Sequence, residues 1–227
     1  MPLLLSIETA TDTCSVVLSN NGKILSCREA VHTRSHASVL TVFIDEVIKE
    51  AGLTLKHIDA VAVSKGPGSY TGLRIGVAAA KGICYAIDKP LISVNTLQAM
   101  CAAFLEKNNT LTAGFFCPMI DARRMEVYCA LFGVELNFVQ PTAAVILETD
   151  FLQDYLPKEN IYFFGDGSPK LKSLLADNAN AIFIDAFVPS ATGMVALAEK
   201  KYENNDFENT AYFEPFYLKD FVGVKKA

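Results

Sequence analysis

The sequence is short of three things: paired cysteines, histidines and basic charge. Its six cysteines, Cys14, Cys27, Cys84, Cys101, Cys117 and Cys129, form no C-x-x-C pair. Each stands alone in an apolar segment, where a free thiol behaves as a small buried hydrophobe. That spacing carries neither a disulfide framework nor a zinc site. Only three histidines occur, with no H-E-x-x-H and no G-x-S-x-G segment, so metallopeptidase and serine hydrolase machinery is missing. His32 and His36 stand four apart, yet they straddle an expected helix start and have no third ligand. His57, beside Lys56, reads as solvated. The formal net charge of −5 argues against a chain that grips nucleic acid unaided, because neutralising phosphates drives that affinity. The densest basic clusters are Arg123-Arg124 and Lys225-Lys226. The first reads as a solvated turn offset by Asp121 and Glu126, with a phosphate grip as the alternative. The second reads as a solubilising tail, with contact to a partner or RNA as the alternative. No apolar run nears the ~20 residues that cross a membrane. The start, Met1-Pro2-Leu3-Leu4-Leu5, lacks a basic region and meets Glu8 too soon for a signal peptide. A reduced, cytoplasmic setting is expected.

What is present is core. Of 227 residues, 51% are hydrophobic and 20% charged, enough for one compact domain or two lobes of about 100 residues each. Leu3 to Ile7, Cys14 to Leu18 and Lys23 to Val31 read as three antiparallel strands, the last two joined by Asn21-Gly22, a hairpin signal. Leu40, Phe43, Ile44, Val47, Ile48 and Ala51 recur at helical steps, predicting a helix over Ser35 to Ala51, capped by Ser35 and stopped by Gly52. A strand over 58–63, a helix ending near Ile87, a strand over 91–94 and a helix over 96–105 follow. Asn108-Asn109 reads as a linker, placing one lobe at 1–107 and a second at 108–227. Phe115 to Ile120 and Glu126 to Phe132, joined by Asp121-Ala122-Arg123-Arg124, echo the opening strands as a weak internal repeat. Later elements are a short helix over 150–156, a strand over 161–164, a helix over 168–175, a strand over 181–184, a helix over 192–202 and an extended tail over 212–226. An α/β fold with a mixed sheet in each lobe fits this order.

The segment Gly66-Pro67-Gly68-Ser69-Tyr70-Thr71-Gly72 lies between a strand and a helix. It reads as a tight turn whose glycines permit close packing. A phosphate cradle on Gly66, Gly68, Ser69 and Thr71 is the weaker alternative, since a Walker lysine is absent. In the helix that follows, Gly72, Gly76 and Ala80 stand at four-residue steps with Ala79 beside them. Such a stripe admits another helix closely, either from the same chain or from a partner. Val77 and Ile83 on the opposite face, with Ile75 beside them, make the helix too apolar to lie alone on a surface.

Four segments together resemble one family: Ile7-Glu8-Thr9-Ala10-Thr11, Lys65 to Gly76, Ile120-Asp121-Ala122-Arg123 with Glu126-Val127-Tyr128, and Glu214-Pro215-Phe216-Tyr217-Leu218. The chain resembles the TsaB family from first strand to tail, the G-P-G-S-Y-T-G-L-R-I-G run being the specific part. The resemblance implies an actin/hexokinase-like, two-lobed fold. It implies a non-catalytic subunit of a TsaD-like enzyme and a TsaE-like ATPase, which place threonylcarbamoyl on N6 of adenosine 37 of tRNA. tRNA is then met only within the complex, and a homodimer is plausible when the partner is missing. The contact implied lies on the first two helices, at Leu40, Gly72, Arg74, Ile75, Gly76, Ala79 and Ala80. No catalytic residue, cofactor or metal is expected. The strand-end turns Glu8-Thr9-Ala10-Thr11 and Asp121-Ala122-Arg123 lack the glycine that phosphotransferases of this fold use, and Gly165-Asp166-Gly167 reads as a structural turn. The His-x-x-x-His pair of TsaD falls on Thr96, expected to cap its helix, and Met100, a core filler. The rivals are a stand-alone ATPase or small-molecule kinase of this fold, and a glycoprotease-like peptidase.

Overall fold

The computed structural model describes residues 2–31 and 36–219. Strands β1 (Leu3–Glu8), β2 (Cys14–Asn20) and β3 (Lys23–Ala30) run antiparallel. The Asn21-Gly22 turn between the last two has both residues at positive φ, as its composition demands. Helix α1 (His36–Glu50) crosses to β4 (Ala60–Gly66), which pairs parallel to β1. Helix α2 (Tyr70–Ile87) leads to β5 (Leu91–Asn95), parallel to β4, and α3 (Thr96–Lys107) follows at once. The first sheet therefore has the order β3-β2-β1-β4-β5.

The second sheet is built from β6 (Phe115–Asp121), β7 (Glu126–Phe132), β8 (Phe138–Ile146), β9 (Ile161–Phe164) and β10 (Ala181–Phe183). Its order, β8-β7-β6-β9-β10, is that of the first sheet repeated, with the same pattern of antiparallel and parallel pairs. The weak repeat in the sequence is thus one plan used twice, and the class is the actin/hexokinase-like two-lobed α/β fold.

The second copy is reduced. A helix expected over 150–156 is a run of turns, because Leu152 takes φ +56 and breaks the right-handed path. The helix expected over 168–175 shrinks to α4 (Pro169–Lys172). Strand β8 was not anticipated; it carries Pro141 and lies at a sheet edge, where a missing N–H is tolerated.

Toward the end of the chain the path returns to the first sheet. A 3-10 turn at Ala191–Met194 and helix α5 (Val195–Glu203) return to the first lobe, where Met194, Val195 and Ala198 pack with Leu4, Val17 and Ile92. The return is pinned by polar bonds. Glu29 accepts from Ser15 Oγ (2.8 Å) and from Ser190 Oγ, and Ser15 Oγ accepts from Ala191 N (3.0 Å). Beyond α5, Glu208 pairs antiparallel with Leu91 and covers the open edge of β5.

Four apolar clusters fill the spaces between these layers, and α3 is shared by two of them. Ala99 faces the first sheet, while Leu97, Met100, Cys101 and Phe104 pack with Phe116, Phe132 and Phe164 of the second. Phe104 stacks on Phe164 at 4.5 Å and meets Phe116 at 5.8 Å. Five of the six cysteines are buried, and loss of water pushes Cys14 and Cys84 up to about 11. Among the described residues no helix is long and apolar enough to cross a membrane.

Because Phe104 joins the lobes through packing alone, Phe104→Ala should cost about 3–5 kcal/mol of stability, the usual range for removing a buried ring. Urea melts followed by circular dichroism measure it; a loss below about 1 kcal/mol would show that α3 is not the common core.

Candidate functional site: the cleft between the lobes

The four segments that carried the resemblance converge. Ala10, Thr11 and Asp12 after β1, Pro67 to Thr71 before and within α2, Ile120 to Arg124 between β6 and β7, and Phe216 to Lys219 of the tail line one cleft of about 700 Å³. The cleft lies between the lobes at the ends of equivalent strands, where ligands of open α/β sheets bind.

The first-lobe wall is made by close packing. A Cβ on Gly68 would overlap the Ala10 carbonyl, one on Gly72 the Thr9 carbonyl, and one on Gly76 the Thr9 hydroxyl. Thr9 Oγ1 donates to the Gly72 carbonyl (2.8 Å), and Ser69 N donates to the Ala10 carbonyl (2.7 Å). The glycines therefore seat the strand-end turn on α2. Ser69 caps α2 by accepting from Gly72 N.

Glu8 lies under this junction, fully buried, with Oε1 accepting from Ala10 N at 2.5 Å. Burial raises its pKa from 4.5 to about 7, against the opposing hydrogen bonds from Ala10, Ser64 and Thr9. Its own charge helps to keep the Cys14 thiol protonated.

The second-lobe wall is charged. Arg123 and Arg124 occupy the β6–β7 turn, both at positive φ (68° and 49°), a backbone that costs an ordinary residue about 1–2 kcal/mol. The turn is held by Arg123 N donating to Asp121 Oδ1 (2.6 Å) and Ala122 N donating to the Glu126 carbonyl (3.1 Å). The expected offset of these arginines by Asp121 and Glu126 is spent elsewhere: Lys170 pairs with Asp121 at 2.6 Å, and Lys219 pairs with Glu126. Asp166 accepts from Asp121 N (3.0 Å), and loss of water raises its carboxyl above the ordinary range, with a smaller push from Asp121 and Asp12. Gly165-Asp166-Gly167 serves this junction as a turn: Gly165 has φ +96, and Gly167 N donates to the Met119 carbonyl.

Thr96 is not a cap. Asn95 caps α3 through Gln98 N, while the Thr96 hydroxyl accepts from Gly66 N (3.1 Å) and bonds Ser64 Oγ (2.9 Å). Met100 is buried against Gly165. His36 Nε2 bonds the Thr11 carbonyl at 2.7 Å as part of the first-lobe wall. His32, Ser35 and Lys225-Lys226 lie outside the described residues.

The residues expected to face a partner divide by burial. Leu40, Gly72, Gly76 and Ala80 are buried within the chain, so the small-residue stripe read from the sequence faces β1. Ile75 and Ala79 are half-buried, and Arg74 is exposed. A second stripe went unread. Ala78, Gly82 and Ala86 also stand at four-residue steps, all exposed, beside Tyr85 at 89% exposure, and a Cβ on Gly82 would meet nothing within 4 Å. The signal was available, since residues 78, 82 and 86 share a helix face.

This arrangement defines a two-lobed chain of the actin/hexokinase class whose first strand-end turn is packed against α2. Residues 28–222 match the sequence model described as TsaD: tRNA N6-adenosine threonylcarbamoyltransferase, and the chain belongs to that family. The "tRNA threonylcarbamoyladenosine biosynthesis protein TsaB" of Haemophilus influenzae is 29% identical, the match covering 98% of this chain and 96% of that protein. The Escherichia coli protein of the same name is also 29% identical, over 98% and 97%. A crystal structure from Pseudomonas aeruginosa, described as an uncharacterized protein with similarity to peptidase YEAZ, superposes with a TM-score of 0.86 at 25% identity, covering 96% of this chain and all of that one.

Two outcomes follow from the packing. A side chain at Gly76 strikes Thr9, so Gly76→Val should destabilise the isolated chain by about 2–4 kcal/mol, measured by urea melts; an unchanged midpoint would contradict the docking of Thr9. Glu8 is raised in the folded state, so its contribution is complete below about pH 4.5 and is lost as pH rises toward 7. Glu8→Gln should therefore flatten the pH dependence of stability, gaining about 3 kcal/mol over the native chain at pH 8 and little at pH 4.5. Parallel profiles for the two proteins would show that Glu8 is ordinary.

Proposed function

We propose that this chain is a non-catalytic subunit that pairs with a TsaD-type transferase in forming threonylcarbamoyladenosine at position 37 of tRNA. The full-length relatives named for that biosynthesis support the pathway, and membership of the transferase family supports common descent with the enzyme. A TsaE-like ATPase and the tRNA join only in the assembled complex, in the cytoplasm.

The observation that carries the non-catalytic reading is the internal bonding of the strand-end turn. A phosphotransferase of this fold needs open space and free N–H groups after its first strand. Here the Ala10 carbonyl and the Thr9 hydroxyl are committed to α2, and the Ala10 N–H is committed to Glu8. The positions matching the metal-binding histidines of TsaD hold Thr96, bonded to Gly66, and buried Met100. Neither offers an imidazole.

The pairing surface is the outer side of α1 and α2. Of the residues expected there, Arg74, Ile75 and Ala79 remain accessible, joined by Val42, Ala78, Gly82 and Tyr85. Glycine inside an exposed helix costs about 1 kcal/mol against alanine, a loss that a close-fitting partner would offset. The same face serves a second copy of the chain when the enzyme is absent.

Gly82→Arg should leave the monomer folded, with its melting point within 2–3 °C of the original, and abolish co-purification with a TsaD-type partner. Gly82→Ala should stabilise the chain by about 0.5–1 kcal/mol. Retention of the partner by Gly82→Arg at native strength would remove α2 from the interface.

A further inference from the structure

The tail after α5 makes more bonds than a loose end needs. Lys81 Nζ, on α2, donates to the carbonyls of Ala211 (3.1 Å) and Phe213 (3.0 Å). Phe213 is half-buried against the first core. Phe216 N donates to the Lys65 carbonyl (2.7 Å), and its own carbonyl oxygen lies 2.8 Å from where a Cβ on Gly66 would stand. The Tyr217 ring packs on Tyr70 at 5.0 Å, and its hydroxyl accepts from Arg74 Nε (3.3 Å), while the Arg74 guanidinium lies 4.3 Å over the Tyr70 ring. Lys219 then reaches the second lobe and pairs with Glu126, at the start of β7.

We propose that Phe213–Lys219 is a strap across the cleft, which ties the second lobe to the N-terminal end of α2 and holds the lobes closed. The path carries the inference. The segment is anchored on the first lobe at three separate points, ends on an ion pair with the second, and contributes Phe216 to Lys219 to the cleft lining itself. The ties nearest the cleft are of the reversible kind: one tilted aromatic pair, one guanidinium contact and one surface ion pair, each weak enough to part without unfolding either lobe. Arg74 belongs both to the strap and to the exposed side of α2. A neighbour that draws its guanidinium away from Tyr217 therefore loosens the strap and opens the cleft.

Hydrogen exchange followed by mass spectrometry, on the full chain by itself, tests this without any partner. Its outcome is thus separate from that of the pairing with a TsaD-type enzyme. Tyr217→Ala and Lys219→Glu should each speed exchange of the amides of the Asp121–Glu126 turn and of the strap by roughly five- to tenfold, as expected for local opening, with the β1 and β4 amides unchanged. Exchanging the charges, with Glu126→Lys added to Lys219→Glu, should return the turn to its original rate. The strap is overturned if both single variants leave the turn at its original rate. It is equally overturned if exchange rises alike throughout the chain, or if the swapped pair stays as fast as Lys219→Glu.

Discussion

The contact between the Thr9-Ala10 turn and the glycines of α2 is the constraint from which the molecule is organised. Gly68 in the preceding loop, with Gly72 and Gly76 one helical turn apart in α2, brings the helix so close to the end of the central strand that a Cβ at any of the three would overlap an oxygen of Thr9 or Ala10. That approach fixes the angle of α2, turns its other small-residue stripe outward, and places Glu8 beneath the junction without a countercharge from any described cation. The same contact commits the Thr9 hydroxyl, the Ala10 carbonyl and the Ala10 N–H, all on the first-lobe side of the cleft, to internal bonds.

Most of the first lobe was legible because its signals are local. Asn21-Gly22 imposes its turn, β1 and β4 are continuous apolar runs, and α1 shows its buried residues at regular steps. The helix faces of α2 were not legible in the same way. Two stripes of small residues, 72/76/80 and 78/82/86, lie on different sides of one helix, and periodicity alone does not say which one meets the sheet. The deciding partner, Thr9, is distant in sequence from Gly72 and meets it only after β1 and β4 have paired.

The second lobe was harder for a related reason. β8 combines a proline with weak alternation and is held by pairing along β7, so its identity as a strand resides in its neighbour. The turns over 150–158 have helix-like composition but include Leu152 in the left-handed region, covered by apolar neighbours from β9 and α4. The way the four motif segments meet at one cleft could be named from resemblance, yet the role of the tail within it depends on Lys219 finding Glu126 across the gap.

The return of the chain to its first lobe has a further meaning. Since α5 packs beside β1 and β5, the second sheet is an insertion whose entry and exit both spring from one platform, gripped at the entry by α3 and at the exit by the Glu29–Ser190 bond. An insertion of that kind can lose or gain length over evolutionary time without moving the helices on the far side of the platform. The short α4 and the turns over 150–156 both lie within that insertion, while α1 and α2 belong to the platform.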